Sequence, residues 1–233
     1  MVPSTGYPYW MFQCFAIQNG KELMNAEGTE TYFTDPKVVE ALEFWRGLAT
    51  DAKVMPEGTV EWGTLRQAFL QGQTAMMWHT TGNLSAVKKD ATFDFGVAML
   101  PANVQPGSPT GGGNFYLFKG SDEAEQQAAL KLVQYMTAPD RAAEWSIATG
   151  YVGVSPAAYE TKALQDYAKD FPQALVARDQ LEVAIPEFST YETARVREAL
   201  NNAIQATLTG SKSAEEALGE AQATSDRLLK PFQ

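Results

Sequence analysis

At residues 61–78 a helical apolar pattern stops at a glycine and passes directly into a strand-like run. This helix-to-strand switch recurs along the chain and narrows its possible folds more than any other feature. Leu65, Phe69 and Leu70 give the apolar side of a helix over 61–71, and Gly72 follows in the C-cap position. Thr74–Ala75–Met76–Met77–Trp78 then reads as a short buried strand. Phe93, Phe95, Val97 and Met99 alternate with period two up to Pro101, predicting a second strand, and Asn114–Phe118 predicts a third. Strands alternating with longer helices predict an α/β layered architecture.

The helices carry their own start and stop signals. Thr34-Asp35-Pro36 opens a helix whose Val38, Leu42, Trp45 and Leu48 share one face. Ser121 is the expected cap of a helix running to Met136, with Ala128, Leu132 and Tyr135 on one side. Another begins near Pro139 and ends at Gly150, and its Trp145, like Trp45, reads as core. Ser189-Thr190-Tyr191-Glu192 reads as a capping box opening a helix with Val196, Leu200, Ile204 and Leu208 inward, closed by Gly210. Ser213-Ala214-Glu215-Glu216 repeats the device for a last helix through Leu229. Asn19-Gly20 is a turn signal, residues 20–33 alternate loosely as a short hairpin would, and 102–113 is a loop rich in proline and glycine.

Charge and rare residues exclude several classes. A net charge of −10 argues against nucleic acid and against an anionic membrane surface, since both need clustered Lys and Arg. One histidine excludes a site of several imidazoles, and the lone Cys14, in an apolar stretch, reads as a buried small hydrophobe. No run of about 18 apolar residues crosses a membrane. Met1–Gly6 lacks a basic region and an apolar core and is no signal peptide, so the chain is either cytosolic as written or begins inside a longer precursor. Gly111-Gly112-Gly113 lacks the lysine of a phosphate-binding loop, which argues against nucleotide. No cofactor and no metal is implied.

Five segments, in order, resemble the extracellular solute-binding proteins of sugar-type ABC importers (family 1). They are Phe69-Leu70-Gln71-Gly72-Gln73-Thr74-Ala75-Met76, Phe93 to Pro101, Gly111–Gly113 before Ser121-Asp122-Glu123, Ala142-Ala143-Glu144-Trp145, and Thr149-Gly150-Tyr151-Val152-Gly153. Within the family the likeness is greatest to its glycerol-phosphate branch. The resemblance implies a periplasmic-binding-protein-like two-lobe α/β fold (type II), present here in truncated form and mainly as the C-terminal lobe. By the same resemblance residues 1–93 and 139–233 belong to that lobe, and 94–138 are an excursion into the other. It also implies a non-enzymatic receptor in the periplasm, or surface-anchored outside the cell. Such a receptor takes up glycerol-3-phosphate, a glycerophosphodiester or a sugar in an inter-lobe cleft and delivers it to a membrane permease.

The resemblance places ligand contacts at Thr80, Gly112, Tyr151 and Arg195. Thr80 keeps the hydroxyl of a pocket serine, Gly112 brings backbone to the ligand, and Tyr151 follows the Thr-Gly pair. Arg195 offers a planar fork of donors near a helix start, suited to phosphate or vicinal hydroxyls. Its alternative is an exposed arginine paired with Glu192 or Glu198. Met77-Trp78-His79 replaces a smaller polar stretch of the family. There Trp78, with Tyr7 and Tyr9, forms either a stacking wall for a pyranose or part of the core, and His79 can bond a ligand hydroxyl. The competing classes are a glycoside hydrolase, for which none of the 28 acidic residues stands out as a pair, and a stand-alone interaction module. An uncovered inter-lobe surface is expected to favour dimerisation of the chain.

Overall fold

The computed structural model describes all residues 1–233. Eleven α-helices follow in chain order. The first five are α1 (Pro8–Gln18), α2 (Pro36–Thr50), α3 (Trp62–Leu70), α4 (Leu84–Asp90) and α5 (Glu123–Met136). Next come α6 (Pro139–Thr149), α7 (Pro156–Tyr159), α8 (Lys162–Asp170) and α9 (Val176–Asp179). The chain closes with α10 (Thr193–Leu208) and α11 (Ala214–Leu229). Two two-residue strands, β1 (Ser108–Pro109) and β2 (Ala184–Ile185), pair in parallel.

The chain divides into two compact units. Unit 1 comprises Met1–His79, Leu100–Thr110 and Glu182–Gln233; unit 2 comprises Thr80–Met99 and Gly111–Leu181. These boundaries do not coincide with the expected divisions at 93/94 and 139. The expected excursion 94–138 is shared, with 100–110 in unit 1 and the remainder in unit 2.

Unit 1 is built around α1, ten of whose eleven residues are buried. A helix apolar all round has no amphipathic period to read, and it must lie inside other elements. Phe12, Phe15 and Ala16 join a core that includes Leu42 and Trp45 of α2, Leu65 of α3, and Phe33 and Phe188. The hairpin of α10 and α11 closes it with Val196, Leu200, Ile204, Leu218 and Leu229. Val196, Leu200, Ile204 and Leu208 point inward as their spacing predicts. Truncating Leu200 or Ile204 to alanine should cost about 2–5 kcal/mol.

Unit 2 has a smaller core of Ala142, Ala143, Ala158 and Leu164, with Ile147, Tyr159 and Tyr167 against it. Lys88 of α4 spans the rings of Tyr167 and Phe171 at 4.2 and 4.4 Å. Trp145 is not core: it is 58% exposed. Nor does α5 bury any residue.

Several local expectations are corrected. The segments 74–78, 93–99 and 114–118 form no strands; 74–78 exchanges backbone bonds with Met1, from Trp78 N to Met1 O at 2.9 Å and from Met1 N to Met76 O at 2.7 Å, which do not extend into a ladder. Residues 20–33 make only one antiparallel bridge, Met24 to Thr31. Asp122 caps α5 instead of Ser121, in a reciprocal capping box with Glu125. No capping box forms at Ser189. There α10 starts four residues later behind Glu192, whose φ is 50°, and the Thr193 hydroxyl donates to the Thr190 carbonyl. Ser213 does cap α11, accepting from Glu216 N at 3.2 Å.

Candidate functional site

In unit 1 the first turn of α1 gathers aromatic and ionic side chains. The turn Thr5-Gly6-Tyr7 is closed by a bond from Tyr7 N to Thr5 O at 2.7 Å, and Pro8 opens the helix. On one side, Tyr9 donates its hydroxyl to Glu187 Oε1 at 2.5 Å and accepts from Arg197 Nη1 at 2.8 Å. Arg197 also pairs with Glu187 at 3.0 Å, donates through Nε to the Phe188 carbonyl at 2.9 Å, and lies over the Tyr9 ring at 4.3 Å. Burial, and then the bond to Glu187, push the Tyr9 phenol well above its ordinary range. Arg197 and Glu187 keep 23% and 29% of their side-chain surface, so the fork is positioned yet reachable by water. Tyr7, 60% exposed, stands edge-on to Tyr9 at 6.5 Å.

On the other side, Trp10 lies 6.3 Å from Trp62, and Trp62 meets His79 edge-on at 4.9 Å. Both indoles are anchored by backbone. Trp10 Nε1 donates to Thr110 O at 3.2 Å and Trp62 Nε1 to Thr5 O at 2.8 Å. His79 Nε2 stands 3.3 Å from Trp62 O. A partly exposed indole face suits the apolar C–H face of a polyol, and a guanidinium–carboxylate pair suits its rim of hydroxyls. A carboxylate and a guanidinium can share vicinal hydroxyls, and the guanidinium can take a phosphate.

The candidates from sequence fall into separate places. Trp78 stacks on Phe15 at 4.7 Å and packs against the unit 1 core, so one of its faces serves packing. Arg195 stands on α10 two residues before Arg197, about 200° away around the helix. It is exposed and pairs with Glu192 at 3.4 Å, facing a shallow surface hollow beside Arg227 and Phe232 of the α11 end. The two arginines therefore cannot serve one ligand, and the Tyr9–Glu187–Arg197 cluster is the one the sequence reading missed. The sequence offers only the place of Arg197, directly after inward Val196 at the shoulder of the buried face, and nothing that joins it to Tyr9 or Glu187.

Unit 2 holds Thr80, Gly112 and Tyr151. Gly150 ends α6 at φ 93°, and a β-carbon there would stand 2.6 Å from both Leu84 Cβ and Thr81 O, so handedness and space both require glycine. This sets Tyr151 over Gly82, 43% exposed, with its N donating to Thr149 Oγ1 at 3.1 Å and its carbonyl accepting from Ser146 Oγ at 2.6 Å. Thr80 opens the same 3-10 turn, Thr81–Asn83, accepting from Asn83 N at 3.1 Å. Gly112 lies in open chain at φ 150° with nothing near a β-carbon position.

The fold belongs to the class of two-lobe periplasmic sugar-binding proteins, of which this chain covers roughly half. UgpB from Mycobacterium tuberculosis, solved in complex with glycerophosphocholine, matches 99% of this chain and 57% of its own with a TM-score of 0.84 at 21% identity. The cyclic alpha-maltosyl-1,6-maltose binding protein of Arthrobacter globiformis matches 96% of this chain and 56% of its own, with a TM-score of 0.78 at 26% identity. The sequence profile for bacterial extracellular solute-binding proteins matches residues 2–173, and the chain belongs to that family. A curated relative, the sn-glycerol-3-phosphate-binding periplasmic protein UgpB of Pectobacterium atrosepticum, is 25% identical over 99% of this chain and 55% of its own length. The chain thus spans about half the length of the relatives it matches.

Proposed function

We propose that the chain is the solute-gripping part of an ABC-importer binding protein, one that captures a small polar solute and hands it to a membrane permease without chemical change. The solute class is a glycerol phosphate, a glycerophosphodiester or a sugar, captured outside the cytoplasmic membrane. The observation that carries this reading is the first turn of α1, where Tyr9 stands in the fork with Glu187 and Arg197 and the next residue, Trp10, adjoins Trp62, which meets His79. Family membership supports it. Within unit 1 the reading rests on Arg197, Glu187, Tyr7, Trp10 and His79; within unit 2 Tyr151, Thr80 and the Gly112 backbone are separate candidates for solute contact. Arg197 replaces Arg195 as the cation on the solute, because it is held in a half-buried fork while Arg195 is exposed and paired.

The lobe assignment is part of the same proposal: residues 94–138 reach into the second lobe of the family fold. The failure of α5 to bury any residue supports this.

Calorimetric titration with glycerophosphocholine, sn-glycerol-3-phosphate and maltose tests the reading. Binding of one of them, lost in Arg197→Ala and kept in Arg195→Ala, is the expected result. Turnover of aryl glycosides or phosphate esters abolished by a single carboxylate change would replace it with the hydrolase reading.

A further inference from the structure

Gln13 stands in the middle of α1, between Phe12 and Cys14, and is 2% exposed. A buried amide is unfavourable unless both of its ends are bonded, and an apolar side chain would pack there without that need. Both ends are bonded here, and to one short piece of chain. Nε2 donates to the Pro186 carbonyl at 3.0 Å, and Oε1 accepts from Phe188 N at 2.9 Å. The residue between those two bonds is Glu187.

Residues 186–188 follow β2 and lie outside any helix or strand. No ladder fixes them, so their buried backbone groups must find side-chain partners. Gln13 takes the carbonyl before Glu187 and the N–H after it, and the Phe188 carbonyl goes to Arg197. With both of its neighbours held, Glu187 leaves the backbone from one place. Its Oε1 then meets the Tyr9 hydroxyl at 2.5 Å and Arg197 Nη2 at 3.0 Å. Helical spacing completes the arrangement. Tyr9 and Gln13 are four apart on α1, as Arg197 and Asn201 are on α10, so each pair shares a face of its helix. Asn201 Oδ1 accepts from Tyr9 N at 3.0 Å, while Arg197 donates to the Tyr9 hydroxyl. Gln13 ties Glu187 to the helix that carries Tyr9.

We infer that Gln13 is a positioning residue of the solute site. It is buried away from any solute, holds the chain on both sides of Glu187, and so sets the carboxylate against Arg197 at the spacing on which affinity depends. A binding constellation needs its members held to about 0.5 Å by supporting bonds of this kind. The inference rests on the proposed receptor reading, and its test separates the two.

The test compares Gln13→Met with Gln18→Met. Both replace a buried amide of α1 by an apolar side chain of similar length. Gln18 is 5% exposed and donates to the Gly107 carbonyl at 3.1 Å, not to residues 186–188. The readouts are calorimetry with glycerophosphocholine, sn-glycerol-3-phosphate and maltose, and NMR exchange of the Arg197 Nε proton. Gln13→Met should weaken solute binding roughly tenfold and speed that exchange roughly tenfold, as the Phe188 carbonyl drifts from the guanidinium. Gln18→Met should leave both as in the parent, whatever it does to the urea midpoint. Gln13→Asn keeps an amide one methylene short, serves if methionine prevents folding, and should lose about threefold in affinity. Equal losses in Gln13→Met and Gln18→Met, or affinity indifferent to the Gln13 variants, overturn the inference. A parent that binds none of the three solutes removes the receptor reading. Exchange at Arg197 that still answers to Gln13 and not to Gln18 then keeps Gln13 as the residue that sets the fork, and exchange indifferent to Gln13 overturns that too.

Discussion

Tyr151 covers Gly82 so closely that a β-carbon at residue 82 would stand 2.2 Å from Tyr151 Cζ and 2.5 Å from its Cε2. The glycine is the seat of the ring, and it is the space taken by the Tyr151 ring, not the backbone of the Thr81–Asn83 turn, that excludes a side chain there. Gly82→Ala should therefore push Tyr151 off its seat while leaving the fold almost unchanged, because the ring is partly exposed and free to swing outward. The lost ring contact should weaken solute binding by about 1 kcal/mol, roughly fivefold. Calorimetry on Gly82→Ala, Tyr151→Ala and the double variant checks this: the double should lose no more than Tyr151→Ala alone. Full additivity would mean that the two positions act on the solute separately.

Arg197 and Arg195 make opposite forecasts from adjacent turns of chain. Arg197→Ala removes a fork that touches Tyr9, Glu187 and the Phe188 carbonyl. It should cost about 1.5–3 kcal/mol of solute affinity, more than tenfold, through the lost charged hydrogen bond. Arg197→Lys should recover only part of this, since an ammonium keeps the charge but not the planar pair of donors. Arg195→Ala should change affinity by less than twofold, as an exposed i,i+3 pair contributes little. A loss of affinity at Arg195 with none at Arg197 would restore the first assignment.

The helices were legible because their signals are local. Pro36 and Asp35, Gly72, Gly150, Gly210 and Ser213 mark ends that the backbone uses as expected. The Ser189–Glu192 box failed because the αL residue Glu192 and the Thr190 carbonyl satisfy the start of α10 in another way. The core helix α1 was not legible as a helix, since burial on every side erases its periodicity. The strands were misplaced for the converse reason: an apolar run records the burial it is built for, not whether ladder partners lie in the same chain. Of the candidate site, the placement of Tyr151 after the helix-ending Gly150 could be read from the Thr-Gly-Tyr segment. Glu187 and Arg197 could not, because their partnership with Tyr9 spans 178 and 188 residues of sequence.

Asp35 gives a pH-dependent forecast. Its carboxylate caps α2 by accepting from Lys37 N at 2.9 Å, and this bond, more than the ion pair with Lys21 at 3.3 Å, holds its pKa below the usual 3.8. A pKa lowered in the folded state means stability fully present above the unfolded value and lost as pH falls through the folded one, so the loss lies below about pH 4. Asp35→Ala should cost about 1 kcal/mol at neutral pH, the ordinary value of an N-cap. In urea melts the gap between parent and variant should be smaller at pH 3 than at pH 7. An equal gap at both pH values would show that the hydrogen bond survives protonation and that charge is irrelevant to the cap.

Cys14 reports on the helix that carries the candidate site. It is 3% exposed, its thiol donates to the Trp10 carbonyl at 3.7 Å, and burial pushes its pKa up to about 12. The thiolate is the reactive form, so at pH 8 only on the order of one thiol in ten thousand is competent even before access is considered. Labelling by a disulfide reagent should therefore proceed only through opening of α1, at least a thousandfold slower than in urea. Because Tyr9 and Trp10 lie on the same helix, a solute held at its first turn should slow the labelling further, by the factor 1 + [solute]/Kd. Prompt labelling of the native chain would show α1 opening freely. Slow labelling indifferent to every solute that calorimetry detects would move the binding site away from the first turn of α1.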